Sequence, residues 1–333
     1  MTPLRIAING FGRIGRVVLR QLLTSPHHSD IKVVAINDIA PIETCAYLFK
    51  YDSVYGPCPL PVCIEAGDLR IGDHAIPLHR HENLRDVDLG GVDVLLECTG
   101  RATTREVAQA GLIAGARSVL ISGPSQAADV TTVLGANDHE LANARIVSNS
   151  SCTTNAIAPL LCRLDQSLGI NRAHITTIHC YTGSQPTVDV PGPSLERSRA
   201  AANSMIPTTT SAATQITQVC PQMSGRLSVA AVRVPSLSVS AIDAVVQLQR
   251  TPKDEVHEAV RNICADGHII GKTDDPCVSS DMRGRPESLV IALPELQMIG
   301  ETQLRLFGWY DNEWGFSARM VDMARKIAAR TLS

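Results

Sequence analysis

The residue with the strongest chemistry in the chain is a cysteine set in Ser148-Asn149-Ser150-Ser151-Cys152-Thr153-Thr154-Asn155. The run Arg145 to Ser148 before it reads as a strand. After it Ile157, Leu160, Leu161, Leu164 and Leu168 recur at helical spacing, so Cys152 stands at a helix N-terminus. The helix dipole and the free N–H groups of a first turn favour thiolate, which makes such a sulfur a nucleophile. The bland alternative is a small buried hydrophobe, and the Ser and Thr flank speaks against it. A nucleophile needs a base, and the candidate is His179, at the end of the run Ile175 to Ile178 and ahead of a Pro-rich loop. His27, His28, His79 and His81 lie in polar stretches and read as solvated. Spacing alone does not bring His179 to Cys152.

A second constellation is Gly10-Phe11-Gly12-Arg13-Ile14-Gly15, directly after the strand-like Leu4 to Asn9. In a G-x-G-x-x-G of this kind the first glycine makes a tight turn, the second lets a pyrophosphate approach the backbone, and the third lets helix and strand pack closely. The stripe Ile14, Val17, Val18, Leu19, Leu22 and Leu23 supplies the helix, and the next strand, Ile31 to Asn37, ends at Asp38. That carboxylate, about 20 residues beyond the motif, would accept from a ribose 2′-hydroxyl and repel a 2′-phosphate, so NAD is expected over NADP. Thr99, Gly100 and Ser122, at later strand ends, are expected to add contacts. Gly271-Lys272-Thr273 resembles the end of a P-loop, but Asp266 replaces its first glycine and Asp274-Asp275-Pro276 follows instead of a helix.

The elements that must position these groups follow from the hydrophobic rhythm. Strand-like runs at 4–9, 31–37, 92–97, 118–122 and 145–148 alternate with helical stretches, the pattern of a parallel α/β sheet. Beyond about residue 170 longer alternating stretches, Leu227 to Val234 and Leu237 to Leu248, predict a mostly antiparallel sheet with helices on one face. One helix is expected from Pro252 to about Asp266, and Pro159 is expected to kink the helix after Cys152. Gly183 to Ser194, with Pro186, Pro191 and Pro193, reads as an irregular loop. The expected division is 1–151 for a Rossmann-type domain and 152–315 for an α+β catalytic domain, with a terminal helix, 316–333, packing back on the first. A chain of 333 residues accommodates two domains.

With 44% hydrophobic and 19% charged residues the composition is that of a soluble globular protein, and a net charge of −3 offers no broad footprint for nucleic acid or an anionic membrane. No apolar run approaches a membrane span and the start lacks the pattern of a signal peptide, so a cytoplasmic location is expected. Ten cysteines without a C-x-x-C pair argue against a disulfide scaffold or a metal site, and most are expected to be buried, inert thiols.

The chain resembles the phosphorylating glyceraldehyde-3-phosphate dehydrogenases over nearly its whole length. The resemblance is carried by the glycine motif, the cysteine motif, Phe49 to Ser53, Arg199 to Ala202, Arg233-Val234-Pro235, Ser279 to Asp281 and Trp309-Tyr310-Asp311-Asn312-Glu313-Trp314-Gly315. It implies a homotetramer that oxidises a phosphorylated aldehyde with NAD and inorganic phosphate, Cys152 as nucleophile, His179 as base and Asn312 orienting the nicotinamide amide. It further implies that Thr182 and Arg233 hold the substrate phosphate, and that Ser151, Thr153, Arg197, Thr210 and Ser211 line the site for inorganic phosphate. Departures accompany it: Ser184 stands for an acidic residue, Ser211 for a glycine, Ala156 for a second cysteine and Phe316 for a tyrosine. They keep other readings open. One is an enzyme similar to erythrose-4-phosphate dehydrogenase, in which water resolves the thioester; Thr182 argues mildly against it. Another is an arsenate-using paralogue, and a third a redox-sensing or binding protein on the same scaffold, against which intact Cys152, His179 and Arg233 weigh.

Overall fold

The computed structural model describes residues 2–192, 194–249 and 253–331. They form two compact units, one from the described parts of Met1–Thr132, Asp138–Ser151 and Ser317–Ser333, the other from those of Val133–Asn137 and Cys152–Phe316. Pro193, Pro252 and the last two residues of the expected helix 316–333 lie outside the described residues.

The first unit is built on a seven-stranded sheet. Its strands are β1 (Leu4–Asn9), β2 (Ile31–Asn37), β3 (Leu78–His79), β4 (Val94–Glu97), β5 (Ser118–Ile121), β6 (Val130–Thr131) and β7 (Ile146–Ser148), in the order β6-β7-β5-β4-β1-β2-β3 with every pairing parallel. The near-continuous aliphatic strands are what such a sheet requires, since both faces are covered. Helix α1 (Arg13–Thr24) follows β1 through the glycine turn and buries Val17, Val18, Leu19 and Leu22. The terminal helix joins the same unit: Lys326 pairs with Asp138, Arg325 with Asp30 at 2.7 Å, and Arg330 donates to the carbonyls of Leu141 and Ala142 at 2.8 and 2.7 Å. A three-stranded sheet at Val62–Glu65, Asp68–Ile71 and His74–Ile76 has no counterpart in the sequence reading.

The second unit has an eight-stranded sheet made of β8 (Ile170–Cys180), β9 (Ile206–Thr208), β10 (Leu227–Val234), β11 (Ser240–Leu248), β12 (Ile270–Thr273), β13 (Leu289–Ala292), β14 (Gln297–Ile299) and β15 (Gln303–Tyr310). Its order is β9-β10-β8-β11-β15-β13-β12, with β14 on β15; the β8–β10 and β12–β13 pairings are parallel and the other five antiparallel. Helix α2 (Cys152–Leu168) runs unbroken through Pro159 and packs with α3 (Ala212–Val219) and α4 (Lys253–Ile263) over the aliphatic core.

The cysteine reading needs correcting. Cys162 on α2 and Cys220 after α3 form a disulfide, because packing brings two distant buried positions together. Of the eight remaining thiols only Cys45, Cys180 and Cys264 are buried, and Cys63 is exposed. Among the described residues no helix is long and apolar enough to cross a membrane.

Candidate active site

In the second unit the Cys152 and His179 side chains meet. Strand β7 leads through Asn149 to Ser151 into α2; Ser150 takes a left-handed φ of 55° and its N–H is held by the Ser148 hydroxyl at 3.2 Å. A serine in that conformation costs of order 1 kcal/mol and turns the chain sharply, so that α2 begins at Cys152. The Cys152 Sγ lies 3.6 Å from His179 Nε2. His179 is buried near the end of β8, and its Nδ1 lies 2.7 Å from the Cys180 carbonyl. Nδ1 thus faces the β8 backbone, and Nε2 is the nitrogen that faces the sulfur.

Register supplies the next group. His179 stands opposite Arg233 across the parallel β8–β10 pair, and Arg233 Nη1 lies 2.8 Å from His179 Nδ1 while donating to the Cys180 carbonyl at 3.0 Å. Burial, and after it the Arg233 charge, lower the His179 pKa to about 4. Burial likewise raises the Cys152 thiol, with Thr153 hydrogen bonds and the Arg233 charge pulling the other way. Burial thus disfavours the charged form of each partner, whereas the helix N-terminus favours thiolate.

Tyr310, which sequence reasoning missed, ties the pair together. Its hydroxyl lies 3.1 Å from Thr153 Oγ1 on α2 and 2.8 Å from Thr177 Oγ1 on β8, and its ring meets that of His179 edge-on at 6.0 Å. The only hint in the sequence is a tyrosine inside the tryptophan-flanked motif.

The hydroxyl and guanidinium groups expected to hold phosphates fall into two sets. Thr182 Oγ1 contacts Ser184 Oγ at 3.1 Å in the loop after β8. Arg197 bonds the Thr208 hydroxyl through Nε and Nη2 at 2.8 and 2.6 Å, at the end of β9 and just ahead of Thr210 and Ser211. Thr210 Oγ1 accepts from the Ala212 N–H at 3.1 Å. The Ser211 side chain, in place of a glycine, accepts from Gln215 Nε2 at 2.5 Å, and Gln215 Oε1 in turn accepts from Thr154 Oγ1 at 3.0 Å. The extra Cβ is thus accommodated by a bond along α3. Asn312 follows the end of β15, buried, with its Oδ1 accepting from the Cys180 thiol at 3.1 Å.

In the first unit a cavity of about 450 Å³ is lined by Gly10, Gly12, Asn37, Asp38, Cys98 and Thr99, among others. The glycines divide their work. Gly10 has φ +91° and lies against the Cys98–Thr99 backbone; a Cβ on Gly15 would stand 2.3 Å from the Gly10 carbonyl oxygen; a Cβ on Gly12 would meet nothing within 4 Å. Gly12 also caps α1 and, having no side chain, makes no cap bond of its own. An open cradle at a helix N-terminus is what a dinucleotide pyrophosphate needs, so these residues fit the cofactor. Asp38 accepts from the Phe11 and Ala40 N–H groups at 2.6 and 2.8 Å, and each oxygen retains a lone pair for a ribose hydroxyl. Of the other expected contacts, Phe11 is buried against Phe49, the Arg13 guanidinium pairs with Asp52 at 2.5 Å, and Ile14 is half-buried on α1. Gly100 takes φ +71°, and the Ser122 N–H donates to the Glu97 carbonyl at 2.9 Å. None of these five lines the cavity.

Residues 4–105 match the NAD-binding-domain model of glyceraldehyde 3-phosphate dehydrogenase, and residues 151–312 the model of its C-terminal domain. Among similar proteins is a glyceraldehyde-3-phosphate dehydrogenase of Xanthobacter flavus, 45% identical over 96% of this chain and 97% of its own length. Those of Pseudomonas aeruginosa, 44% identical over 98% of each chain, and Geobacillus stearothermophilus, 39% identical over 98% of this chain and 99% of its own, are also similar. With both domain models matched and relatives 39–45% identical over nearly the whole chain, one assignment remains: the chain belongs to the glyceraldehyde 3-phosphate dehydrogenase family.

Proposed function

We propose that this chain oxidises glyceraldehyde 3-phosphate to the acyl phosphate, with NAD as the hydride acceptor bound at the glycine turn of the first unit. The observation that carries the reading is the Cys152 Sγ at 3.6 Å from a His179 Nε2 whose other nitrogen is anchored on a carbonyl. His179 takes the thiol proton as the sulfur attacks the aldehyde carbon, and returns it to the oxygen to give a hemithioacetal. It then accepts the hydroxyl proton as hydride leaves, and Cys152 holds the product as a thioester. Arg233 beside Nδ1 disfavours a lasting imidazolium, so the base releases its proton between turns. Phosphate oxygen attacks the thioester carbon, the carbon–sulfur bond breaks and Cys152 departs with the electron pair. Thiolate suits both steps as nucleophile and leaving group.

Thr182 and Arg233 are assigned to the substrate phosphate; Ser151, Thr153, Arg197, Thr210 and Ser211 are assigned to the attacking phosphate. Strand β15 alternates half-exposed and buried residues, which leaves one face of its sheet open and supports assembly as a homotetramer. The proposed location is the cytoplasm. The test is NADH formation from glyceraldehyde 3-phosphate and from erythrose 4-phosphate, each with phosphate, arsenate or neither. Turnover that needs phosphate and prefers the three-carbon substrate supports the reading; turnover indifferent to any acceptor assigns water to that step, and none with any aldehyde leaves a binding protein.

A further inference from the structure

Three neighbouring strands of the second unit, β8, β11 and β15, end at the same edge of the site, and each contributes one buried polar group there: Cys180, Ser240 and, just past β15, Asn312. The Cys180 Sγ lies 3.1 Å from Asn312 Oδ1 and the Ser240 Oγ lies 3.4 Å from the same oxygen. Ser240 Oγ also accepts the Cys180 N–H at 3.2 Å, and its own proton has Asn312 Oδ1 at 3.4 Å and the Cys180 sulfur at 3.7 Å as acceptors, the amide oxygen being the nearer and stronger. Cys180 and Ser240 are each 1% exposed and Asn312 8%. Burial pushes the Cys180 thiol up to about 12, so it remains S–H and acts as a donor. Two donors on one oxygen settle the orientation of the amide. Rotating it by half a turn would put its NH2 group against the Cys180 S–H and take away that donor's acceptor, while the Ser240 hydroxyl could turn to the Cys180 sulfur, so the observed orientation is the one that serves both donors. Among the described residues no acceptor meets Asn312 Nδ2, which touches solvent.

We propose that Cys180 and Ser240 are positioning residues for the ring end of the cofactor: they hold the Asn312 side chain by its oxygen and so commit its NH2 group to an acceptor on the pyridine ring, a carboxamide or carboxylate oxygen. This rests on the NAD-dependent reading above. Cys180 then serves the site twice, its carbonyl meeting His179 Nδ1 and its thiol holding Asn312. A side-chain substitution separates the two tasks, because the carbonyl stays.

The test is equilibrium binding, followed by tryptophan fluorescence, of three ligands: NAD, its nicotinic-acid analogue with a carboxylate in place of the carboxamide, and ADP-ribose, which lacks the ring. The unmutated chain is expected to bind the carboxylate analogue within about threefold of NAD, since an NH2 group donates to either. Replacing Cys180→Ala and Ser240→Ala together frees the Asn312 rotamer and should weaken both ring-bearing ligands about three- to tenfold while leaving ADP-ribose unchanged. Cys180→Ser alone, which keeps a donor, should bind as the unmutated chain does. The inference is overturned if ADP-ribose weakens in parallel, if Cys180→Ser weakens the ring-bearing ligands as the double replacement does, or if the unmutated chain rejects the carboxylate analogue by more than tenfold. Failure of the unmutated chain to bind NAD at all would instead overturn the reading on which the inference rests.

Discussion

Replacing Gly12 by alanine separates cofactor binding from folding, because the three motif glycines have different surroundings. At Gly12 the backbone is extended, φ −73° and ψ −156°, a conformation open to any residue, and the new methyl meets nothing within 4 Å. The folded chain should therefore keep its stability or gain about 0.4–1 kcal/mol through the unfolded state. The same methyl stands in the space the pyrophosphate must enter, so NAD affinity should fall by tenfold or more. Gly15→Ala is the contrasting case. Its Cβ would lie 2.3 Å from the Gly10 backbone oxygen, roughly 1 Å inside contact, and α1 must shift to relieve it. Overpacking of that kind costs about 1–3 kcal/mol and so lowers Tm by several degrees. The assay is thermal unfolding of each variant with and without saturating NAD, where the rise in Tm reads binding to the native state. Unmutated Tm with a lost NAD-dependent rise is expected for Gly12→Ala, and a lowered Tm for Gly15→Ala. The division of labour is refuted if Gly12→Ala retains the full rise, or if its Tm falls as far as that of Gly15→Ala.

Cys152→Ser should abolish turnover while NAD still binds, since an alkoxide is far less available than thiolate at neutral pH; substantial residual NADH formation removes Cys152 from its role. Arg233→Ala should raise KM for a phosphorylated aldehyde about tenfold or more and leave KM for glyceraldehyde unchanged, while kcat changes for both because Arg233 also borders His179; equal KM effects argue for an unphosphorylated substrate. Asp38→Ala should narrow the preference for NAD over NADP by removing a charge, and should destabilise the fold by about 1–3 kcal/mol as the Phe11 and Ala40 N–H groups lose their acceptor; an unchanged kcat/KM ratio for the two cofactors contradicts the ribose assignment. With its folded pKa near 4 against an ordinary 6.5, His179 binds fewer protons folded than unfolded, so stability is full above about pH 6.5 and falls by roughly 3 kcal/mol as pH drops to 4. Urea unfolding of the unmutated chain and His179→Asn should diverge across that window and run parallel above it.

The parts of this site legible in the sequence are those built by neighbours along the chain. A strand, a glycine turn and a helix announce the dinucleotide cradle because each glycine acts on atoms within a few residues or on the adjoining strand. Cys152 at the head of α2 was visible for the same reason. The Pro-rich loop after His179 marked a site-like place but carried no distance. What joins His179 and Arg233 is the β8–β10 register, in which a parallel pairing of strands more than fifty residues apart sets the two side by side, and it is the packing of α2 that brings Cys152 to them. Register is decided by the burial of whole strands, since a slip of one residue would turn Ile175 and the other core side chains outward. No local pattern encodes it. Tyr310, Ser240 and the Cys162–Cys220 pair were hidden likewise, each depending on sheet order or helix packing. The resemblance in motifs bridged that gap for residues the motifs contain, and left silent those outside them. Cys180 and Ser240 show the consequence. They lie on strands whose places are set by sheet order, so a group proposed only to hold another side chain is recognised by what it donates to and by nothing in its own sequence surroundings.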